Sequence, residues 1–292
     1  MIGVIGGTGL DELKGIEIMV FDIQAVGARF YTYISTLEYV MTACAELSIP
    51  MIVLDRPNPN GNYIDGPILD MQYQSFVGRQ KIPIVHGLTV GEYALMLNGE
   101  RWMEEGVYFK KEELHVIPCK NYDHQSEYEL PIAPSPNLPN QRSIYLYPSL
   151  CLLEGTTASL GRGTQKQFQV ILHPDYPDQT YSDIPIKRPG AQWPKHENKV
   201  TYGVDLSEEK MNEMPRPSQI NLDYLLDFYQ ALGKPDDFFL ENNFIHKLAG
   251  TDEFKESVVN GMGAEEIRQS WQTGLNEYKK IRAKYLLYKD LN

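Results

Sequence analysis

The chain has 292 residues, and 27 Lys and Arg against 39 Asp and Glu give it a formal net charge of −12 at pH 7. A protein this acidic is repelled by nucleic acid and by anionic membranes, so we expect neither as a partner. Its three cysteines are too far apart for a zinc knuckle or a redox dithiol, and no apolar run is long enough to span a membrane. We therefore expect a globular protein without metal, cofactor or membrane insertion that acts on a small polar molecule.

The first half of the chain alternates between short apolar runs and amphipathic segments. Strands buried on both faces are predicted at four apolar runs, residues 16–23, 49–54, 82–85 and 114–118. Helices are predicted at two segments with apolar residues at helical spacing, residues 36–47 and 90–103. This alternation is typical of the α/β class, with a parallel sheet and crossover helices.

Prolines crowd residues 131–148, which predicts a linker or a rigid binding loop there. We place a domain boundary in this segment, giving a first domain at residues 1–143 and a smaller α/β domain at residues 144–292. In the second domain, strands are predicted at 168–172 and 199–206 and helices at 220–232 and 264–287. A Pro-rich and Tyr-rich excursion separates the two strands and is a plausible wall for a closed pocket.

The opening MIGVIGGTGL is a strand-like segment that runs into a glycine-rich turn. Such a turn lets backbone N–H groups approach a phosphate. The spacing of Gly3, Gly6, Gly7 and Gly9 does not fit the dinucleotide or P-loop patterns, however. A tight turn is the favoured interpretation, and phosphate binding remains the alternative.

Polar side chains follow three of the predicted strands at the point where each strand ends. They are Asp22, Arg29 and Tyr31 after the first strand, Asp55, Arg56 and Asn58 after the second, and His86 after the third. In an open α/β sheet, ligands bind beyond the carboxyl ends of the strands. Each residue alone has a structural explanation as a cap or a turn residue. Their convergence on one edge nevertheless predicts a site there.

Glu92 follows this edge in the string Thr89-Val90-Gly91-Glu92. The string is typical of a capping box, in which Thr89 caps a helix and Glu92 bonds back to the cap residue. The helix dipole would lower the pKa of a carboxyl in that position, which opposes a general-acid role. Burial in a partly apolar cleft would raise the pKa, and His86 is then the expected partner that orients Glu92. Both interpretations stay open.

Two segments near the predicted boundary carry further candidate residues. The string EGTTASLGRGT places Glu154 close to Arg162, and glycines on both sides of Arg162 let the backbone approach an anion. The alternative is a surface ion pair beside a bulge. The stiff loop PSPNLPN presents Asn137 and Asn140 at little entropic cost, which suits sugar hydroxyls or an acetamido group as well as ordinary turns.

Several strings together resemble the exo-β-N-acetylmuramidase family of the NamZ type. They are FDIQ-x-VG-x-RFYTYISTL, VLDRPNPNG, HG-x-T-x-GEYA, PSPNLPN, LYPSLCLLEGT and S-x-GRGT, which occur in this order between residues 21 and 164. The resemblance implies a Rossmann-like first domain, a smaller second domain and a site in the cleft between them. It also implies release of N-acetylmuramic acid from the non-reducing ends of peptidoglycan fragments during cell wall recycling, with Glu92 as the favoured catalytic carboxylate.

Hydrolysis of a glycosidic bond requires a proton donor and a second group that attacks the sugar or activates water. We expect Glu92 as the donor, with Asp22, Asp55, Glu154 or the acetamido group of the substrate in the second role. The lactyl carboxylate of muramic acid requires a fixed cation, and Arg29, Arg56 and Arg162 are the candidates. Arg162 and Arg29 are favoured.

Two rival functions remain at this stage. A non-catalytic peptidoglycan-binding module would use the same edge and tolerate loss of Glu92, and a nucleotide-dependent transferase would use the N-terminal glycines. A peptidoglycan substrate further implies an exported protein. The given sequence carries no signal peptide, so we expect it to be the mature chain of a periplasmic or extracellular protein.

Overall fold

The computed structural model describes residues 13, 15–207 and 214–291, so the glycine-rich opening lies outside the described residues. The first half contains a parallel three-stranded sheet in the order β1-β2-β3. Its strands are β1 (Met19–Phe21), β2 (Met51–Leu54) and β3 (Leu114–Ile117). Its crossover helices are α1 (Tyr33–Glu46) and α2 (Val90–Gly99). The prediction of an α/β fold with a parallel sheet is confirmed.

The segment 82–85 is not a strand of this sheet, which corrects the prediction. Ile82, Ile84 and Val85 are fully buried, as a central strand would be. In the described residues the segment pairs through isolated antiparallel bridges, in which Val85 faces Ala28 and Asp65. Pro83 has no N–H to donate, so the segment cannot form a continuous ladder. The third parallel strand is β3 instead.

The Pro-rich segment, predicted as a linker or a rigid binding loop, is helical in its second part. Helix α3 (Gln141–Leu150) begins inside it, runs through Pro148 and continues into a 3₁₀ helix, Cys151–Gly155. An antiparallel sheet in the order β4-β6-β5 follows, with β4 (Val170–His173), β5 (Ser182–Asp183) and β6 (Thr201–Asp205). This sheet and the surrounding helices make the second half a mixed α/β unit, as predicted.

Five helices complete the chain, namely α4 (Asp223–Ala231), α5 (Phe244–Ala249), α6 (Glu253–Val259), α7 (Ala264–Ser270) and α8 (Gln272–Arg282). The single helix predicted at 264–287 is divided at Trp271 into α7 and α8. Among the described residues, no helix combines the length and the apolar character that a membrane span requires.

Two hydrophobic clusters hold the fold together. One lies around α1 and β2 and includes Leu37, Met41 and Met51. The other contains Phe30 from the first half and Phe168 from the second, so the two halves share part of their core. Because the core crosses the sequence boundary that we predicted, the two halves pack as one continuous body. The boundary between residues 143 and 144 stays a prediction.

Candidate active site

Asp55 ties the end of β2 to the start of α2. Its Oδ1 accepts hydrogen bonds from the N–H groups of Gly91 at 2.7 Å and Arg56 at 2.9 Å. Its Oδ2 accepts from the hydroxyls of Thr89 at 2.7 Å and Tyr288 at 2.5 Å. Burial raises the pKa of Asp55, and these donors oppose the shift. A carboxylate with four donors serves the packing of this edge and offers no free oxygen to a substrate.

Glu92 is fully buried and forms the capping box that its spacing predicts. Its Oε2 accepts from the N–H of Thr89 at 2.9 Å, while the Thr89 hydroxyl accepts from the N–H of Glu92 at 3.2 Å. Its Oε1 accepts from the N–H of Leu287 at 2.9 Å and lies 3.1 Å from Nε2 of His124. Because both oxygens are engaged and enclosed, this geometry does not support the expected role of Glu92 as the proton donor.

The histidine beside Glu92 is His124 and not His86, which corrects the expected pairing. His86 Nδ1 accepts from the N–H of Leu88 at 3.2 Å. Burial, followed by the charge of Arg282, lowers the pKa of His86 to about 3, so its ring is neutral near pH 7. His124 follows β3, which the sequence analysis predicted as a strand at 114–118, but candidate residues were taken only from the ends of the first three predicted strands. The same rule about strand ends, applied to the fourth predicted strand, would have selected it.

The segment 283–291, which we call the C-terminal tail, closes over this edge. Besides the bonds of Leu287 and Tyr288 described above, the carbonyl of Lys289 accepts from the N–H of His124 at 3.2 Å. The N–H of Cys119 donates to the Tyr288 hydroxyl oxygen at 2.8 Å. The crevice beyond β2 and β3 is therefore filled by the chain itself.

Arg29 is fully buried and does not reach the candidate site. Its terminal nitrogens donate to four backbone carbonyls, those of Ile82 at 2.7 Å, Pro67 at 3.1 Å, Ala249 at 2.7 Å and Leu248 at 2.9 Å. Burial lowers its pKa to about 9. The guanidinium joins the two halves of the protein, so the expectation that it binds the lactyl carboxylate is corrected.

The predicted amide ligands are engaged in hydrogen bonds within the protein. The Asn58 side chain donates to the Leu88 carbonyl at 2.9 Å and packs against Gly27, where a Cβ atom would lie 2.2 Å from the Asn58 Oδ1. Asn140 caps α3, and Asn137 donates to the carbonyl of Gly190 at 2.9 Å. These amides hold turns together, which corrects their expected role in binding a sugar.

Asp22 and Arg56 meet beyond β1 and β2, as the convergence of strand ends predicts. Asp22 Oδ1 lies 2.7 Å from Nε of Arg56, and their side chains are 45% and 39% exposed. An ion pair this exposed contributes about 1 kcal/mol or less to stability. Both side chains are accessible to a ligand.

A second set of polar residues lies around the 3₁₀ helix Cys151–Gly155. Arg162 donates from Nε to Oε1 of Glu154 at 2.9 Å, and its guanidinium carbon lies 4.9 Å from the centre of the Phe168 ring. Burial opposes the charge of Arg162, but Glu154, Cys151 and Tyr147 together outweigh that effect and raise the pKa of Arg162. No hydrogen bond within the described residues engages the two terminal nitrogens of Arg162, whose side chain is 34% exposed.

Lys195 supports this arrangement and was missed by the sequence analysis. Its Nζ donates to the backbone carbonyls of Thr156 at 2.6 Å, Ala158 at 3.0 Å and Glu154 at 3.1 Å. A cation is favourable at the C-terminal end of a helix, where carbonyl groups lack partners. Lys195 thereby fixes the turn that carries Glu154. We call Glu154, Arg162, Phe168 and Lys195 the Arg162 site.

Tyr31 connects the first half of the chain to this site. Its hydroxyl donates to the Pro134 carbonyl at 2.8 Å. Its ring meets that of Tyr147 edge to face, with ring centres 5.8 Å apart, and Tyr147 packs in turn on Phe168 of the Arg162 site at 5.0 Å. Of the residues predicted from strand ends, Tyr31 is thus linked through an aromatic chain to Glu154 and Arg162.

Comparisons with known proteins cover nearly the whole chain. The family model "Exo-beta-N-acetylmuramidase NamZ, N-terminal" matches residues 8–142, and its C-terminal counterpart matches residues 145–288. The chain is 37% identical over 299 residues to the peptidoglycan beta-N-acetylmuramidase NamZ of Bacillus subtilis, covering 95% of this chain and 69% of that protein.

Two crystal structures of DUF1343 family proteins from Bacteroides fragilis are similar to the whole chain. One shares 48% identity with a TM-score of 0.89 and covers 96% of this chain and 78% of its own. The other shares 29% identity with a TM-score of 0.80 and covers 98% of this chain and 79% of its own. The resemblance that the sequence motifs indicate is confirmed.

Proposed function

The chain belongs to the NamZ family of exo-β-N-acetylmuramidases and is a glycosidase of peptidoglycan, and from that premise we propose that it cleaves terminal muramic acid at the Arg162 site. The substrate is a peptidoglycan fragment with N-acetylmuramic acid at its non-reducing end. The family favours hydrolysis over the two rivals, a binding module and a nucleotide-dependent transferase.

The observation that carries this proposal is that the two terminal nitrogens of the Arg162 guanidinium are available to a ligand. Muramic acid differs from glucosamine by a lactyl carboxylate, so a selective enzyme needs a fixed cation that can reach it. A guanidinium binds a carboxylate through two parallel hydrogen bonds. Nε of Arg162 is held by Glu154, and the two terminal nitrogens remain available at a partly exposed surface. Arg29 lacks such an edge because carbonyls occupy both of its terminal nitrogens.

Glu154 is the carboxylate that we place next to the sugar. Its Oε1 accepts from Arg162, while no hydrogen bond within the described part of the chain engages Oε2. A carboxylate suits the second role in glycoside hydrolysis, in which it takes a proton from the water that attacks the anomeric carbon. The departing sugar oxygen takes up its proton from solvent at this partly exposed surface. Glu92 becomes a positioning residue that holds α2 and the C-terminal tail.

The test compares a chromogenic N-acetylmuramide with the matching N-acetylglucosaminide. Arg162→Lys keeps the charge but loses the paired hydrogen bonds. We therefore expect the ratio of kcat/KM on the muramide to kcat/KM on the glucosaminide to fall about tenfold, which corresponds to about 1.4 kcal/mol. Arg56→Lys is the matched control, because Arg56 is also an exposed arginine in an ion pair. An unchanged preference in Arg162→Lys would remove Arg162 from this role.

A second set of variants tests the carboxylates. Glu154→Gln should lower kcat on the muramide by at least about 100-fold, the usual contribution of a residue in acid, base or nucleophilic roles. Asp22→Asn tests the other exposed acid under the same conditions. Full activity of Glu154→Gln would exclude Glu154 from the chemistry. Because peptidoglycan lies outside the cytoplasmic membrane, we also propose that the protein works in an exported form.

A further inference from the structure

Trp193 is the most exposed large hydrophobic side chain in the described residues. Its relative exposure is 87%, and Ile132 follows at 79%. Its neighbours Ala191 and Pro194 are buried. The chain therefore turns inward on both sides of Trp193 and leaves the indole in water. Burying an aromatic side chain of this size stabilises a protein by a few kcal/mol, so an indole held outward is an unusual arrangement.

The loop that carries Trp193 is anchored. Arg188 and Ala191 exchange backbone hydrogen bonds of 3.1 and 2.9 Å, and the Nε2 of His196 lies 2.7 Å from the Thr157 carbonyl. Lys195 adds four hydrogen bonds to backbone carbonyls at and after the end of the 3₁₀ helix. We call residues 188–196 the Trp193 loop. Because the loop is already ordered, a partner that covers the indole would not have to order the loop as well.

The Trp193 loop borders the Arg162 site. Arg188 donates from Nε to the Gly163 carbonyl at 3.0 Å. Gly163 packs so closely on Pro194 that an added Cβ atom would lie 2.8 Å from the Pro194 ring. Lys195 donates to the Glu154 carbonyl at 3.1 Å. Gly163, next to Arg162, and Glu154 are thus both joined to the loop that holds the indole.

We infer that the exposed face of Trp193 is a stacking platform for the sugar ring on the leaving-group side of the scissile bond. This inference rests on the proposed function of the Arg162 site. An exo-acting enzyme encloses the terminal sugar, so the rest of the saccharide must leave over the bordering surface. One face of a pyranose consists mainly of C–H groups, which suit the π-face of an indole, and the indole N–H can donate to a hydroxyl or an acetamido oxygen.

The kinetic test uses two substrates that differ only in the leaving group, the disaccharide N-acetylmuramyl-β-1,4-N-acetylglucosamine and methyl β-N-acetylmuraminide. Trp193→Ala should lower kcat/KM on the disaccharide about tenfold and leave the methyl glycoside unchanged. Trp193→Phe should recover most of the loss, because phenylalanine keeps an aromatic face. Ile132→Ala is the matched control, since it removes another exposed apolar side chain and should leave kcat/KM unchanged on both substrates.

Each other outcome has a definite meaning. Equal rates of Trp193→Ala and wild type on the disaccharide overturn the inference and leave the proposed function standing. An equal loss on both substrates also overturns it, because Trp193 would then act on the muramic unit or on the fold. Failure of the wild type on both substrates would contradict the proposed function itself.

Fluorescence gives a readout that does not depend on turnover. N,N′-diacetylchitobiose should protect part of the indole emission from acrylamide quenching in the wild type and give no protection in Trp193→Ala, which keeps Trp102 and Trp271. No protection in the wild type contradicts the inference. Sedimentation of the same samples identifies the competing occupant, because a dimer that Trp193→Ala dissociates would show a second copy of the chain on this surface and overturn the sugar platform.

Discussion

Replacement of Glu92 by glutamine separates a structural carboxylate from a catalytic one. The two carboxylate oxygens accept from the backbone N–H groups of Thr89 and Leu287 and contact Nε2 of His124. Glutamine offers one oxygen and one NH2 group, and neither backbone N–H can become an acceptor. One N–H group therefore loses its acceptor and faces another donor, whichever way the amide turns.

The expected cost follows from these bonds. A buried donor without a partner costs about 1–3 kcal/mol, and loss of a negative charge in the first turn of a helix adds about 0.3–1 kcal/mol. We expect Glu92→Gln to lose about 2 kcal/mol of unfolding free energy, which lowers Tm by roughly 3 °C in a chain of this size. Glu154→Gln, which changes a partly exposed ion pair, should lose about 1 kcal/mol or less.

The assay combines a thermal melt with kcat on the chromogenic muramide, measured well below the Tm of the variant. Folded Glu92→Gln should keep kcat within a fewfold of the wild type. A proton donor contributes about 100-fold or more to the rate. An unchanged Tm together with a loss of that size would refute the positioning role and restore Glu92 as the general acid.

Two further predictions concern buried groups. Arg29→Met should lose at least about 3 kcal/mol in urea denaturation, because four buried carbonyls lose their donor; a loss under about 1 kcal/mol would contradict this accounting. The pKa of His86 is about 3 in the folded protein, so between about pH 6.5 and pH 3 the unfolded chain binds a proton that the folded chain does not. The free energy of unfolding should therefore fall as pH falls through this window, by up to about 1.4 kcal/mol per pH unit from this group, and His86→Asn should show a shallower slope in the same titration.

Local sequence patterns predicted those features that depend on neighbouring residues. The runs that became β1, β2 and β3 are short and apolar, and the capping box at Thr89 and Glu92 depends on residues three apart. The Pro-rich segment was misassigned because its second part is helical although it contains Pro148. Asn140 caps the N-terminus of this helix, α3. The signal for that cap was present in the sequence but was outweighed by the number of prolines.

Site residues were harder to predict because their roles depend on distant partners. Arg29 was identified as a ligand for a carboxylate, but its partners include carbonyls 219 and 220 residues away. Lys195 lies in a segment without a distinctive pattern, and His124 was missed because candidates were taken only from the ends of the first three predicted strands. Arg162 and Glu154 were found because two glycines and an acid lie close together in sequence, and their ion pair is local.

The C-terminal tail covers the strand ends of the first half of the chain, so the stability of each half depends on the other. The C-terminal tail supplies the Tyr288 hydroxyl and the Leu287 N–H, which donate to Asp55 and Glu92 in the first half of the chain, and Arg282 of α8 donates to the carbonyl of Gly87 at 2.7 Å. A fragment cut at the family boundary would expose polar groups that have no substitute partner. We therefore expect the two family segments to unfold together and neither to fold alone.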